Sequence, residues 1–430
     1  MGTSEPPQSP PDRESPALGG LESARRLQQE GARMKARSPE ENAKRLLSGE
    51  AWSDFCRTLE SAGRTILDAP GREAPDVQAE GFLYLLGLTK VGISQAAELV
   101  PEQPRFIRIA DSFVGAGAEN ADNSYAHAHI RGDLVYRVFG TRGTVDTFLV
   151  ELKEGFMQLG DVRNFATLEA SELEIQPDGR FEFFVGGPPR EHNWMPLDPD
   201  ARQILIRQYF CDWDEEIPAT FDIECLGREG IPPERVTAAR AAEILDDAAQ
   251  NIAGTASFWQ EWVDDLRERY DPDTIKPAEF YVGGADDIAY GNDYYVLPEG
   301  EALIIEFEPP KARYWAFQLI DLWFKTPDWA NRKTSINHKQ AWLDADGRCR
   351  IVVAHDDPGV PNWLDTDGQT EGVVQYRWIW TENNPHPTTR RVPVGDVRSH
   401  LPDGTPTVDP AQRCDEIHRR QLHRLRRERI

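Results

Sequence analysis

A chain of 430 residues is longer than one hydrophobic core organises, so it divides into two or three domains. Its 48 Lys and Arg face 73 Asp and Glu, a formal charge of −25 that argues against nucleic acid and anionic membranes as partners. The cysteines Cys56, Cys211, Cys225, Cys349 and Cys414 stand singly with no C-x-x-C pair, which suggests neither a disulfide framework nor a cysteine zinc site and fits a cytoplasmic protein.

The first twenty residues hold five prolines and no apolar run, so a disordered leader is expected there rather than a secretory signal. Ser38-Pro39-Glu40-Glu41 reads as a capping box that starts a helix. Trp52, Phe55, Cys56, Leu59 and Ile66 then recur on one face of a 3.6-residue period, and a second helix is expected over about Val77 to Leu99. The longest apolar stretch, Phe82 to Leu88, is too short to span a membrane and reads as buried helix.

From Arg105 the texture turns to short β-type runs: Arg105 to Ile109, Ala128 to Phe139, Thr144 to Glu151, Leu168 to Ile175, Phe181 to Val185 and Gln203 to Phe210. They predict an antiparallel sandwich ending near Leu226. Two apolar helical stripes follow, one from Ala241 to Ile252 and one from Trp259 to Tyr270. Strands resume at Ile288 to Val296, Ala302 to Phe307, Arg313 to Leu319, Ala341 to Leu343, Arg348 to Ala354 and Val373 to Trp380. Along the last, Val374, Tyr376, Trp378 and Trp380 share one face, the core side, while Gln375 and Arg377 point to the other, which could face a cavity. An arginine-rich helix from Glu416 to Ile430 closes the chain, suited to docking on an acidic body. No internal repeat is visible.

The expected fold is α+β, mostly β. A disordered leader and first helix over 1–37 and a helical region over 38–100 precede a β-sandwich over 101–228. A helical connector over 229–275 leads to a second sandwich over 276–410 and a basic helix over 411–430.

The residues Ala312 to Leu319, Asp321, Trp323, Asp328, Asn331-Arg332, Ser335, Asn337, Gln340 and Asp357-Pro358-Gly359-Val360-Pro361-Asn362-Trp363-Leu364-Asp365-Thr366 resemble the family called domain of unknown function 1214. Upstream, Asp122-Asn123-Ser124-Tyr125, Ile130-Arg131-Gly132, Tyr136-Arg137 and Asn193-Trp194-Met195-Pro196-Leu197 are similar to domain of unknown function 1254. The resemblance implies jelly-roll-like antiparallel sandwiches beside helices. It implies no activity, cofactor or catalytic residue, and His127 and His129 lie outside the family pattern.

Three clusters carry candidate chemistry. His127 and His129 alternate on one strand face as metal ligands do, but no spacing supplies a third ligand, and solvent-facing histidines are the plainer expectation. His355 opens the Asp356-Asp357-Pro358-Gly359 loop, where histidine and carboxylates meet at a strand end. This suits acid–base catalysis by His355 or Asp357, although Asp-Pro-Gly is also an ordinary turn. The loop from Asp328 to Asn337 gathers Asn331, Arg332, Ser335 and Asn337, with Arg332 placed to hold an anion or oxyanion. Trp323, Asn362, Trp363, Tyr376 and Arg377 complete the expected substrate pocket.

No G-x-S-x-G elbow, Walker A loop, G-x-G-x-x-G turn or H-E-x-x-H helix occurs, so no cofactor is expected. The sequence points to a hydrolase or a lyase/isomerase acting on an amphipathic or cyclic small molecule. The alternative is a non-catalytic carbohydrate- or lipid-binding protein. A homo-oligomer stays open, as does a purely structural role.

Overall fold

The computed structural model describes residues 37–161, 163–280 and 288–428, so the expected leader up to residue 36 lies outside the described residues. Helix α1 (Pro39–Leu47) starts as its sequence dictates: Ser38 Oγ accepts from the Glu41 amide at 3.2 Å, and the Glu41 carboxylate accepts from the Ser38 amide at 2.8 Å. Helices α2 (Glu50–Leu67) and α3 (Pro75–Glu98) follow. The inward face of α2 is Ala51, Phe55, Ala62 and Ile66; Trp52, expected in the core, is 58% exposed. The reason is close packing: Ala62 meets Ala248, Ala249 and Ala256 of α4 in one cluster, so small residues and not the tryptophan face the neighbouring helix. The two stripes of the connector belong to one helix, α4 (Ala238–Arg269), capped by Thr237.

The strands between α3 and α4 are β1 (Ile107–Ala110), β2 (Asn123–His129), β3 (Tyr136–Thr141), β4 (Thr147–Lys153), β5 (Asn164–Glu169), β6 (Arg180–Val185), β7 (Trp194–Met195), β8 (Gln203–Tyr209) and β9 (Thr220–Cys225). After α4 come β10 (Ile288–Val296), β11 (Glu301–Phe307), β12 (Ala312–Ile320), β13 (Ser335–Asn337), β14 (Cys349–Ala354), β15 (Trp363–Asp365), β16 (Glu371–Thr381) and β17 (Thr388–Pro393). The single run expected over Ala128 to Phe139 is two strands, because the chain turns at 131–134, where the Leu134 amide bonds the Arg131 carbonyl. Leu343 makes only an isolated bridge to Cys349, so Ala341 to Leu343 is not a strand.

Four sheets result, ordered β1-β2-β8-β4-β5, β7-β6-β3-β9, β10-β16-β12-β13 and β15-β14-β11-β17. Pairing is antiparallel except β6 with β7 and β14 with β15, two parallel contacts the sequence reading did not expect. The first two sheets enclose one core, including Val138, Phe148, Phe183 and Ile206; the last two enclose another, including Ile305, Phe317, Ile351 and Tyr376. Adding eight to each strand number converts β2-β8-β4-β5 into β10-β16-β12-β13, and β7-β6-β3-β9 into β15-β14-β11-β17. The parallel pair recurs in the same place. The two sandwiches are therefore one topology built twice, with β1 added at an edge.

In β16 the expected alternation holds for Val374, Tyr376 and Trp378, which enter the second core. It fails at Trp380, whose positive φ of 52° turns its ring to the opposite side, 5.5 Å from the Tyr209 ring.

The outer faces of the β1-β2-β8-β4-β5 and β10-β16-β12-β13 sheets meet through Tyr209, Tyr314, Ala316 and Ile379. A buried carboxylate joins them. Asp122 accepts from Trp213 Nε1 at 2.8 Å, Asn337 Nδ2 at 2.8 Å and the Tyr314 hydroxyl at 2.6 Å. The terminal helix α5 (Pro410–Arg427) docks as expected, with Arg413, Arg420, His423 and Arg427 buried. Arg420 donates to the Trp329 carbonyl and to Ser335 in the second repeat, while His423 bonds the Trp213 carbonyl and Arg427 the Ala121 carbonyl in the first.

Arg420→Ala strands those buried acceptors, and Asp122→Ala strands three buried donors. Each variant is expected to lose on the order of 3 kcal/mol, read as a lower urea midpoint at unchanged slope.

Candidate functional site

A cavity of about 270 Å³ lies between the outer faces of the β1-β2-β8-β4-β5 and β10-β16-β12-β13 sheets and is closed by α3, α4 and the segments around 109–120 and 155–158. The first repeat contributes Asn123 and Tyr125 from β2 and Leu205, Arg207 and Tyr209 from β8. The second contributes Tyr290 from β10 and Gln375 and Arg377 from β16. Leu88, Val91 and Trp259 give it an apolar end.

Five polar groups in its lining are only partly satisfied. Asn123 Oδ1, Glu119 Oε2, Gln203 Oε1, Arg207 Nε and Arg377 Nη1 are buried without a hydrogen-bond partner among the described residues. Other contacts of the lining are ordered. Gln375 donates to Asn292 at 2.6 Å and accepts from Gln318 at 3.2 Å, and Gln318 accepts from the Ala121 amide at 3.0 Å, so three amides run across β10, β16 and β12 in register. Arg207 is ion-paired with Glu151 at 3.3 Å.

Burial pushes the Glu119 carboxyl up to about 8, against a partial offset from its backbone contact and Lys325. The group therefore holds its proton at neutral pH. Its neighbour on the chain, Ala118, accepts a hydrogen bond from Arg377 Nη2 at 2.5 Å, while the Glu119 carboxyl itself lies near Lys325 and Asp321.

The residues expected to carry catalysis are engaged elsewhere, and none of them lines the cavity. His355 Nε2 bonds the Leu297 carbonyl at 2.9 Å and its Nδ1 meets the Thr366 hydroxyl at 2.7 Å, so both ring nitrogens are occupied. Asp357 caps the Gly359 amide at 2.9 Å and pairs with Arg413 at 2.9 Å. Arg332 lies between Asp365 at 3.1 Å and Asp367 at 2.5 Å, already neutralised.

Of the expected substrate residues, Arg377 alone lines the cavity. Trp323 is buried against α3, where a Cβ on Gly81 would come within 2.6 Å of its ring, and it donates to the Val77 carbonyl. Tyr376 stacks on Phe317 inside the second core. Asn331 bonds Asp328 at 2.8 Å, Ser335 accepts from Arg420 at 2.7 Å, and Asn337 is fully buried on Asp122. Asn362 ties down Trp342 through both its amide and carbonyl, and Trp363 donates to the Ala354 carbonyl.

His127 and His129 do share a face, with rings 5.7 Å apart and nearly parallel. They are not solvent-facing: His127 is fully buried, edge-on to Phe156, and burial holds its pKa well below the ordinary value, while burial lowers His129 to about 4. Among the described residues no three His, Cys, Asp or Glu side chains gather as metal ligands would.

Asn123, Tyr125, Glu119, Arg207 and Tyr290 line the cavity and were not among the expected site residues. One sequence signal marks all of them but Glu119, which precedes β2: the outward parity of β2, β8 and β10 carries Tyr, Arg, Asn and Gln and none of the Lys and Glu that a solvated sheet face would carry.

An unfolded Glu119 titrates near 4.5 and the folded one near 8, so between those values the native state keeps a proton the unfolded chain has released. Its contribution therefore erodes as pH rises across this window and is constant above it. Relative to the parent, Glu119→Gln is expected to gain stability progressively from pH 5 to 8 in urea melts, then level off. A pH-independent difference would place the carboxyl in water.

Comparison with known proteins adds family and fold. The model of the family "Protein of unknown function (DUF1214)" matches residues 297–382. The crystal structure of an uncharacterized protein from Burkholderia cenocepacia is 32% identical, with a TM-score of 0.78 over 84% of this chain and all of that one. The VPA0106 protein from Vibrio parahaemolyticus is 11% identical, with a TM-score of 0.43 over 72% of this chain and 98% of its own. No curated protein matches. Among the described residues no helix is long and apolar enough to cross a membrane.

Proposed function

The chain belongs to the DUF1214 family of proteins of unknown function, and from that premise we propose that it takes an amphipathic or cyclic small molecule into the cavity between its sandwiches and acts on it by acid–base chemistry. The reaction is of hydrolase or lyase/isomerase type and needs no nucleotide cofactor. The observation that carries this reading is the cavity itself, apolar at one end and lined at the other by buried polar groups whose hydrogen bonds the protein leaves unmade.

Glu119 takes the role first sought at His355 and Asp357. A carboxyl held protonated at neutral pH donates a proton to a leaving group or enolising oxygen, and its raised pKa lies close to the working range of a general acid. Non-catalytic binding of a carbohydrate or lipid is the second reading. It is favoured by one fact: the other carboxylate at this face, Glu151, is committed to Arg207 and offers no free base. We read the first sandwich as a DUF1254-like unit on its Asp122 to Tyr125 and Asn193 to Leu197 segments, and the protein as cytoplasmic on its five unpaired cysteines.

Native mass spectrometry of the protein purified from its own host is expected to show a small molecule bound one to one. Leu205→Trp, which fills the cavity, should release it with the native circular dichroism spectrum retained; retention of the molecule would move the site elsewhere. With that molecule as substrate, Glu119→Gln should keep binding and lose turnover by about 100-fold or more. Binding without turnover in the parent protein selects the second reading.

A further inference from the structure

The duplicated topology allows the two halves of the cavity to be compared position by position. In the first repeat Tyr125 of β2 pairs across the ladder with Arg207 of β8; in the second, Tyr290 of β10 pairs with Arg377 of β16. Each guanidinium stands 5.7 Å from the centre of its tyrosine ring, and both pairs face the cavity. On the next strand Leu149 lies opposite Arg207, with Glu151 two residues on. Ala316 lies opposite Arg377, with Gln318 two residues on. Glu151 and Gln318 are thus equivalent positions.

They differ by a charge. Glu151 neutralises Arg207, whereas Gln318 is an amide engaged with the Glu119 carbonyl at 3.0 Å and with Gln375. The second repeat keeps the tyrosine–arginine pair and lacks the acid. Arg377 is 5% exposed, one of its terminal nitrogens is spent on the Ala118 carbonyl, and the other has no partner among the described residues. A buried cation without a counter-ion is costly, and beside a cavity that cost is relieved by an anion arriving from outside.

We propose that Arg377 anchors the carboxylate of a small cyclic molecule lying against the Tyr125 and Tyr290 rings, so that the ligand supplies to Arg377 what Glu151 supplies to Arg207. The inference rests on the cavity being the binding site. One unpartnered guanidinium nitrogen matches a singly charged carboxylate better than a phosphate dianion, since Glu151 already neutralises the charge of Arg207, the other guanidinium of the lining. Leu88 and Leu205 receive the apolar body.

Calorimetric titration of the full-length protein with benzoate, cyclohexanecarboxylate, their neutral carboxamides and inorganic phosphate tests this. The carboxylates should bind at least tenfold more tightly than the amides and the phosphate. Arg377→Met should abolish that preference while amide binding persists, and Arg377→Lys, which keeps the charge and guards against misfolding of the first variant, should restore part of it. Equal binding of acid and amide, or equal loss of both in Arg377→Met, overturns the anchor while leaving the cavity reading intact. Preference for phosphate overturns the carboxylate assignment. Failure of every probe to bind overturns the proposed ligand class, whereas the cavity reading stands or falls on whether Leu205→Trp releases the molecule carried from the host.

Discussion

The arrangement of the two sandwiches depends on one buried carboxylate. Asp122 has no solvent to stabilise it, and burial pushes its pKa up; what keeps it serviceable as an acceptor is three side-chain donors, Tyr314 and Asn337 from the second repeat and Trp213 from the first. Such a group tolerates little displacement, because any shift of one sandwich against the other leaves a donor and a lone pair unmade together. Helix α5 reinforces the same junction with arginines that reach carbonyls on both sides. The cavity lies beside this junction, where the two faces also pack through Tyr209, Tyr314, Ala316 and Ile379.

Much of the architecture was legible in the sequence. The strands β11 and β14 appear as short apolar runs because both of their faces are buried, Leu303, Ile305, Ile351 and Val353 in one core and Ala302, Ile304, Val352 and Ala354 in another, and the α1 capping box is written in four consecutive residues. The short strands β7, β13 and β15 were not legible, since two or three residues carry no period and are held by neighbours distant in the chain. The duplication was invisible for a related reason. Topology is preserved by the register of hydrogen bonds and by apolar parity, both of which many side chains satisfy, so the repeats share strand order while Glu151 matches Gln318 and Leu149 matches Ala316.

The site was legible only in part, for a physical reason visible in particular residues. His355, Asp357, Arg332 and Asn337 look reactive in sequence because polar residues concentrated in a loop are also what an irregular, buried backbone requires; in the fold each is consumed by a carbonyl, an amide or an opposite charge. Arg377 was marked by its parity in β16, opposite Tyr376 and Trp378, which separates a core face from another face without telling what covers the second. That covering is the first sandwich, contributed by residues roughly 170 to 250 positions earlier in the chain. No local pattern encodes it.

Arginine supplies the sharper contrast. Buried guanidiniums are common in this acidic protein, and a direct carboxylate is not their only means of support. Arg427 has a carbonyl on one side and the Trp329 ring 4.0 Å away on the other; Arg420 has two carbonyls, a hydroxyl and the Trp213 ring at 4.5 Å. In both, aromatic and backbone groups fill the space around the cation, and the charge is spread over fixed dipoles. Arg377 has one carbonyl and one ring as well, but its second terminal nitrogen is buried without a partner among the described residues, in the wall of the cavity and at the position where its counterpart Arg207 meets Glu151. On the proposal that Arg377 anchors an anion, what separates it from the structural arginines of this fold is the cavity beside it, and the group a ligand would replace is the carboxylate that Glu151 supplies to Arg207.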